Sequence, residues 1–417
     1  MPRVLIYSLV YPPDGVSTAQ LLGELADELV SRGTEIRVVT SVPIYRTSEA
    51  AHSGTVLRRR ALGLFHTSRQ GDIDVWHVTC PSGTGRLSRL ASWILMHTVG
   101  AVLALTVSQR GTIFFVPSPL LTLGLVARVL ARFRRGRLVY NAQELQPDLV
   151  VDMGYIRSPV LIRLLRWVEL RVYAGATAVT AITPDMTKRI RERDPETRVE
   201  TIPNFVDLDF LRPLERSNPF SREHGLEGCQ VVSYAGVIGP AQGLGALLDI
   251  AEAFPAEANI LTVFIGEGRS RTELEERVRR DGAGRVRFID HHPFARVPEI
   301  YASSDLSVVC LSPGASTSAL PSKLLRIMAC GRPVLAICPD DAELAREVRR
   351  AGAGIAVPPD RPHESALRVL ELLKSPDTRD SMGRAGRRYV EERYSRSGVG
   401  ERYHELLESI VPTEPRA

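Results

Sequence analysis

Short apolar runs separated by longer stretches of helical periodicity recur along the whole chain. The first run, Val4-Leu5-Ile6-Tyr7, leads into the turn Pro12-Pro13-Asp14-Gly15. Helical spacing follows, with Leu21/Leu22, Leu25/Ala26 and Leu29/Val30 on one stripe and Ser17-Thr18-Ala19-Gln20 reading as a capping box at its start. Gly33 closes that helix, and Ile36-Arg37-Val38-Val39-Thr40 reads as the next strand. Further runs at Val75–Val78, Ile113–Val116, Leu138–Tyr140 and Ala178–Ile182 have helical stretches between most of them. Alternation of this kind predicts a parallel sheet covered by helices on both faces.

The pattern then restarts. Val231–Tyr234, Ile260–Ile265, Val286–Ile289, Leu306–Val309, Val334–Ile337 and Ile355–Val357 form a second set of strand candidates, again separated by helices. Between the sets lie Thr201-Ile202-Pro203-Asn204-Phe205-Val206-Asp207 and the polar stretch Arg212–Glu227. The fold class expected is α/β, with two Rossmann-like doubly wound domains facing across a cleft. One domain spans residues 1–200 and the other 201–385. A last segment, 386–417, has helical character around Tyr389–Leu407 and packs back toward the first domain. Ligands in such folds sit outside the carboxyl ends of the strands, so the loops after strands are where chemistry is expected.

Composition narrows the class. The chain has 417 residues, 44% of them hydrophobic and 24% charged, which matches an ordinary folded protein and excludes a disordered or fibrous one. The net charge of +5 is too small to argue for nucleic acid, although anionic small molecules or an anionic membrane surface would suit it. Five cysteines without CxxC or metal-ligand spacing read as reduced, buried thiols of a cytoplasmic protein. The start of the chain lacks the longer apolar core of a signal peptide. One segment stands apart: Trp93–Val107 carries no charged side chain and is flanked by Arg86, Arg89 and Arg110, with Arg132–Arg137 beyond. Fifteen residues are too few to cross a bilayer, which takes ~20. The segment is either a core helix of the first domain or a helix lying in the membrane interface, making the protein peripheral on the inner face of the plasma membrane.

Candidate chemistry lies mainly in the second half. The turn after the first strand holds no GxGxxG, and no Walker A sequence occurs, so dinucleotide and P-loop readings fall. Tyr234-Ala235-Gly236-Val237-Ile238-Gly239-Pro240-Ala241-Gln242-Gly243 is a glycine-rich loop between a strand and a helix. Phe264-Ile265-Gly266-Glu267-Gly268-Arg269 and Asp290-His291-His292-Pro293 are two more loops at strand ends. Leu320-Pro321-Ser322-Lys323-Leu324-Leu325-Arg326 opens a helix whose first backbone N–H groups suit a diphosphate, and Lys323 and Arg326 share one face of it. Each loop alone is weak evidence; four in order on one sheet edge are strong.

The order and wording of these segments resemble glycosyltransferase family 4, the retaining GT-B family. Within it they are nearest to members that build bacterial surface polysaccharides, such as fucosamine-type transferases. The resemblance covers nearly the whole chain, from Tyr11-Pro12-Pro13-Asp14-Gly15 through Gln143-Glu144-Leu145-Gln146-Pro147-Asp148, Ile202-Pro203-Asn204 and Ala241-Gln242-Gly243-Leu244 to Met328-Ala329-Cys330-Gly331-Arg332-Pro333. It implies an acceptor-binding first domain and a nucleotide-sugar-binding second domain. The donor would be held by Gly15, Gly236, Gly239, Gln242, Gly243, Gly266, Glu267, Gly268, Arg269, His291, His292, Ser322, Lys323, Leu324 and Arg326. Two departures stand out. Family members usually carry a Glu for the ribose hydroxyls where this chain has Arg326, with an earlier acidic partner at the position of Ser318. A basic residue common in the glycine loop is replaced here by Val237 and Pro240. Arg326 either supplies the missing positive charge or marks a degenerate donor pocket.

Departure of a nucleoside diphosphate builds negative charge, which helix amides with Lys323, Arg326 or Arg269 would stabilise. No DxD-like pair or His/Asp cluster is visible, so neither a metal nor another cofactor is expected. The resemblance implies front-face attack without a protein nucleophile. Glu144 and Asp148, after a first-domain strand, are candidates for orienting or deprotonating the hydroxyl of a glycan or polyprenyl-linked acceptor. A non-catalytic GT-B subunit supporting a partner enzyme is the alternative, and a sugar-nucleotide epimerase a distant third. Nucleic acid is not expected as a partner.

Overall fold

A computed structural model describes residues 1–14, 16–43, 56–81, 86–148, 151, 156–282, 285–312 and 321–411. The chain divides into two compact units, one of residues Met1–Asn204 with Arg396–Ala417 and one of Phe205–Ser395. In unit 1 the strands are β1 (Arg3–Tyr7), β2 (Glu35–Ser41), β3 (Arg58–Arg60), β4 (Phe65–Gln70), β5 (Ile73–Val78), β6 (Ile113–Pro117), β7 (Arg137–Ala142), β8 (Ala178–Ala181) and β9 (Val199–Thr201). Its helices are α1 (Ser17–Ser31), α2 (Arg86–Val107), α3 (Leu121–Phe133), α4 (Pro159–Tyr173) and α5 (Pro184–Arg193). They cover a sheet of order β3-β4-β5-β2-β1-β6-β7-β8-β9, parallel from β5 to β9 and antiparallel where β4 meets β3 and β5.

Unit 2 contains α6 (Pro219–Glu223), β10 (Gln230–Ala235), α7 (Gly245–Glu252), β11 (Ile260–Ile265), α8 (Arg271–Asp281), β12 (Val286–Ile289) and α9 (Val297–Ala302). It continues with β13 (Leu306–Cys310), α10 (Ser322–Ala329), β14 (Val334–Ile337), α11 (Glu343–Ala351), β15 (Gly354–Val357), α12 (Pro362–Leu373) and α13 (Pro376–Arg393). The sheet is wholly parallel, in the order β12-β11-β10-β13-β14-β15. The strand order reverses between β10 and β13, which opens a crevice at their carboxyl ends. Residues such as Val232, Phe264, Val308 and Leu335 are buried on the strands, as a sheet covered on both faces requires.

Several expectations need adjustment. Three strands escaped notice: Arg58-Arg59-Arg60 is fully solvated, β4 mixes polar residues, and β9 is short and at the edge, so none shows an apolar run. The capping box of α1 does not form. Ser17 is already the first helical residue, and the cap position falls to Val16, whose side chain offers no acceptor. The apolar segment is longer than expected, because α2 has 22 residues. Its stretch Leu90–Val107 is by length and composition sufficient to cross a membrane. One stripe of it is nonetheless built into unit 1. Ser92, Met96, Leu103 and Ala104 are buried, and the Tyr7 hydroxyl donates to the Met96 carbonyl.

The returning segment begins at Arg396 rather than at 386. α13 stays with unit 2, where the Arg387 guanidinium donates to the carbonyls of Leu211 (2.6 Å) and Ala329 (2.7 Å). The returning helix, α14 (Arg396–Ser409), packs on α1. The Tyr403 hydroxyl accepts from Asn141 Nδ2 at 2.9 Å at the end of β7, and Arg32 Nη2 donates to the Ser397 carbonyl at 2.9 Å. The first junction lies between Asn204 and Phe205, four residues beyond the expected 200.

Candidate functional site

The crevice of unit 2 is lined by the segments after β10, β11 and β13. Gly236 follows β10 with φ at +137°, and Gly266 and Gly268 follow β11 with φ at +134° and +155°. Side chains rarely tolerate such backbones, and here space forbids them too. A Cβ on Gly266 would sit well under 3.0 Å from the Gly236 carbonyl oxygen, and one on Gly268 equally close to that of Ile238. The loops are thereby drawn together. Gly236 N–H donates to the Ile265 carbonyl (2.9 Å), Ile238 N–H to that of Glu267 (2.8 Å) and Ser270 N–H to that of Ile238 (3.1 Å). Gly243, at φ +59°, lies against the Ser312 backbone, and the Cys310 thiol donates to its carbonyl at 3.3 Å.

Two cations enter this crevice from α10. The Lys323 ammonium lies 3.3 Å from the centroid of the Tyr234 ring, and the missing side chain of Gly236 leaves room for it. Burial pushes the Lys323 ammonium down to about 7, assisted by the nearby Arg326 guanidinium and opposed by Cys310. The Arg326 guanidinium lies 5.2 Å from the Phe294 ring, which stacks on Phe210 at 5.0 Å. Among the described residues neither cation has a carboxylate partner. Two cations held on aromatic faces beside the first N–H groups of a helix make a site for an anion. Ser322 is the first and exposed residue of that helix.

The other expected donor residues divide. Leu324 is not a contact residue by its side chain: it is fully buried in the core, and its N–H donates to the Pro321 carbonyl at 2.9 Å. Glu267 is exposed and tied to Arg271 at 2.8 Å, and Arg269 is exposed. Gln242 and Gly239 adjoin one another in the glycine loop, with Pro240 exposed between them. His291 is exposed, whereas His292 Nε2 meets His224 Nε2 at 3.3 Å and its ring packs edge-on to Phe220. Glu223, His224 and His292 bring their ligand atoms within 4.8 Å of one another, a spacing that sequence could not show because 68 residues separate the histidines. Arg296 already holds the Glu223 carboxylate at 2.8 Å. Gly15 and Ser318 lie outside the described residues.

Arg271 was missed. Its guanidinium joins Glu267 (2.8 Å), Glu275 (2.8 Å) and Asp290 (2.7 Å), fastening the loop after β11 to that after β12. Part of the signal is in the sequence, since Glu275 four residues on shares the helix face of Arg271, whereas Glu267 and Asp290 lie in loops.

In unit 1, Glu144 follows β7 in a turn set by the Ser118 hydroxyl, which accepts from its N–H at 3.2 Å, and its carboxylate accepts from Gln146 at 2.7 Å. Asp148 is placed differently from what a free acceptor base would need. Its carboxylate pairs with Arg193, which also binds Glu169 at 2.9 Å, and Glu169 accepts from the Tyr173 hydroxyl at 2.9 Å. Burial pushes Glu169 up to about 7 against the pull of Arg193. This network welds α4 to α5 and commits Asp148 to the scaffold.

Comparison with known proteins meets this geometry from both ends of the chain. Residues 18–204 match the model of the glycosyl transferase 4-like domain, and residues 218–389 that of glycosyl transferases group 1. WcaI of Escherichia coli (strain K12), named for a glycosyl transferase of colanic acid biosynthesis, is 23% identical over 79% of this chain and 81% of its own. WbjE of Pseudomonas aeruginosa, named as a glycosyltransferase, is 26% identical over 64% of this chain and 67% of its own. Among solved structures, sucrose-phosphate synthase from Thermosynechococcus elongatus superposes with a TM-score of 0.74 at 16% identity, covering 98% of both chains. Anabaena HepE in complex with UDP superposes at 0.71 and 17% identity, covering 98% of this chain and 100% of that one. With one sheet wholly parallel, the other parallel from β5 to β9, and each half matched by its own transferase model, the chain belongs to the GT-B glycosyltransferases of the family 4 type.

Proposed function

We propose that the chain transfers a sugar from a nucleotide-sugar to a glycan or polyprenyl-linked acceptor in cell-surface polysaccharide biosynthesis, with retention of configuration at the anomeric carbon. The observation that carries this reading is the pair of cations, Lys323 and Arg326, without carboxylate partners among the described residues, at the start of α10 in the strand-reversal crevice. WcaI and WbjE are similar over most of their length, and HepE has been solved with UDP and with UDP-glucose.

The bond from the anomeric carbon to the β-phosphate oxygen breaks while one to the acceptor oxygen forms, and the acceptor's hydroxyl proton passes to the departing phosphate oxygen. Charge then grows on the departing diphosphate. Lys323, Arg326 and the first N–H groups of α10 are positioned to receive it. Glu144 is the carboxylate left to orient the acceptor hydroxyl, and Asp148 holds the surrounding scaffold through Arg193. The catalytic reading is favoured over a non-catalytic subunit because the matched relatives are named as transferases, and the approach of Lys323 to the Tyr234 ring at the crevice supports it. The direct test is release of nucleoside diphosphate from a panel of nucleotide-sugars with and without polyprenyl-linked acceptor. Acceptor-dependent release with an unchanged anomeric configuration by NMR is expected. Tight binding without release under any acceptor overturns the catalytic reading.

Two further results are expected. Below pH 7 the Lys323 ammonium is already formed, and above it the free protein loses that proton, so binding of a diphosphate must take one up. Affinity should be flat below pH 7 and weaken by up to ~10-fold per pH unit above it, with proton uptake visible by calorimetry in two buffers. Arg326→Glu restores the family's carboxylate and separates the two meanings of Arg326. If the guanidinium faces the diphosphate, loss of a charge-assisted contact weakens donor binding by roughly 10- to 100-fold. Tighter binding of the Glu variant would instead mark the present pocket as degenerate.

A further inference from the structure

Unit 2 holds a side-chain cluster that the transfer reading leaves unused. Glu223 ends α6 and His224 caps it, while His292 stands in the loop after β12. His224 Nε2 and His292 Nε2 approach to 3.3 Å, Glu223 Oε1 lies 3.7 Å from His224 Nε2, and all three ligand atoms fall within 4.8 Å of one another. A divalent ion bound at ~2.0–2.1 Å in a tetrahedron holds its ligand atoms roughly 3.4 Å apart. Two of the three separations are therefore close to that value already. The third needs only a rotation of the Glu223 side chain, which is 51% exposed.

What surrounds the cluster orients each ligand. The Asp290 carbonyl is 2.8 Å from His292 Nδ1, and a carbonyl can only accept, so the proton is on Nδ1 and the lone pair on Nε2. His224 Nε2–H then donates to that lone pair. Coordination moves the His224 proton to Nδ1 and turns both Nε2 lone pairs to the ion. Arg296 Nη1 donates to Glu223 Oε2 at 2.8 Å, which leaves Oε1 as the oxygen facing the imidazoles. The same guanidinium pairs with Glu299 at 3.1 Å, so its charge is shared between two carboxylates. A second guanidinium, that of Arg287, is turned onto the His224 carbonyl. Phe220 walls one side, its ring centroid 4.4 Å from that of His224 and 5.1 Å from that of His292. A fixed tautomer, an oriented carboxylate and an apolar wall are the outer shell that metal sites use.

We propose that Glu223, His224 and His292 bind a divalent ion of the zinc class, fastening the end of α6 to the loop after β12. Two imidazole nitrogens and one carboxylate suit zinc, nickel or copper, whereas magnesium and calcium prefer all-oxygen shells. With three protein ligands the fourth position is left to water. No step of the sugar transfer is routed through this ion. The loop that it fastens already holds Asp290 on Arg271 at 2.7 Å, so the ion adds a second tie to a segment that has one.

The test uses the full chain freed of metal by chelation, Zn2+ alone as the probe and no nucleotide, so its outcome is independent of the transferase reading. One equivalent of Zn2+ should bind in competition with a chromogenic chelator and raise the unfolding midpoint, while Mg2+ does neither. Co2+ in its place should give the visible bands of a nitrogen- and oxygen-ligated site without a thiolate charge-transfer band, since Cys229, the chain's one cysteine that is not buried, takes no part. Glu223→Gln and His292→Phe, which keeps a ring against Phe220, should each weaken Zn2+ binding at least ~100-fold, as losing an outer-shell partner alone costs about 10- to 100-fold. Glu223 is exposed enough that its variant keeps the unfolding midpoint of the metal-free wild type. Cys229→Ser should bind as the wild type does. No Zn2+ binding, binding of equal strength by the two ligand variants, a thiolate band lost in Cys229→Ser, or Mg2+ binding of similar strength would each overturn the proposal.

Discussion

Replacing Lys323 by methionine is expected to lower kcat/KM by about 10²- to 10³-fold while leaving the unfolding midpoint unchanged or higher. Removing one donor aimed at developing negative charge costs on that order. The stability half of the expectation follows from where the ammonium sits. It is pressed onto the Tyr234 ring with no carboxylate beside it among the described residues, and burial holds it near 7 instead of its ordinary 10.5. Below about pH 7 both the folded and the unfolded chain carry this proton, and the folded state bears the full cost of a desolvated charge. Between about 7 and 10.5 only the unfolded chain keeps it, so the folded state gains stability as pH rises. Methionine keeps the unbranched apolar stem and removes the charge, so the variant should lack that rise. Melting curves across pH 6–10 together with steady-state kinetics check both halves. A charge kept at a cost to the fold is the usual mark of a working site.

The second large effect is expected at Gly266. An alanine there would place its Cβ against the Gly236 carbonyl, backbone against backbone, at a φ of +134°. Neither side can yield without separating the loops after β10 and β11. A loss of about 3 kcal/mol follows from the combination of strain and overlap, and the midpoint of unit 2 should fall by roughly 6–12 °C. Nucleotide binding should be lost with it. Gly228 supplies the comparison, since it also has a positive φ, +79°, but has nothing within 4 Å of an added Cβ. Gly228→Ala should cost only the backbone term, about 1 kcal/mol, and leave nucleotide binding intact.

The contrast between those glycines shows what could be read from the chain alone. β11 and β14 coincide residue for residue with the apolar runs Ile260–Ile265 and Val334–Ile337, because a strand covered on both faces has no polar alternation to blur it, while β12 at the sheet edge keeps the expected bounds Val286–Ile289 although Arg287 is exposed. β3, β4 and β9 lie at the sheet margin where solvent removes that signal. In the crevice, Gly236, Lys323 and Arg326 were legible from chemistry placed just after a strand. Leu324 was carried along by its neighbours, although the helix turns its side chain into the core. Asp148 reads as a free acid until Arg193, 45 residues later, is folded against it. Pairings between distant segments are what local pattern cannot supply.

The binding expected of the α10 start, with Lys323 and Arg326, is that of the diphosphate of a nucleotide-sugar. It is tested most directly by calorimetric titration of nucleoside diphosphates and their sugars into the wild type and Lys323→Met at pH 7. At least one nucleotide should bind the wild type with proton uptake and bind the variant about 30-fold or more weakly, as loss of a charge-assisted contact of ~2 kcal/mol or more requires. Binding of equal strength to both proteins, or no nucleotide binding to the wild type, would contradict it.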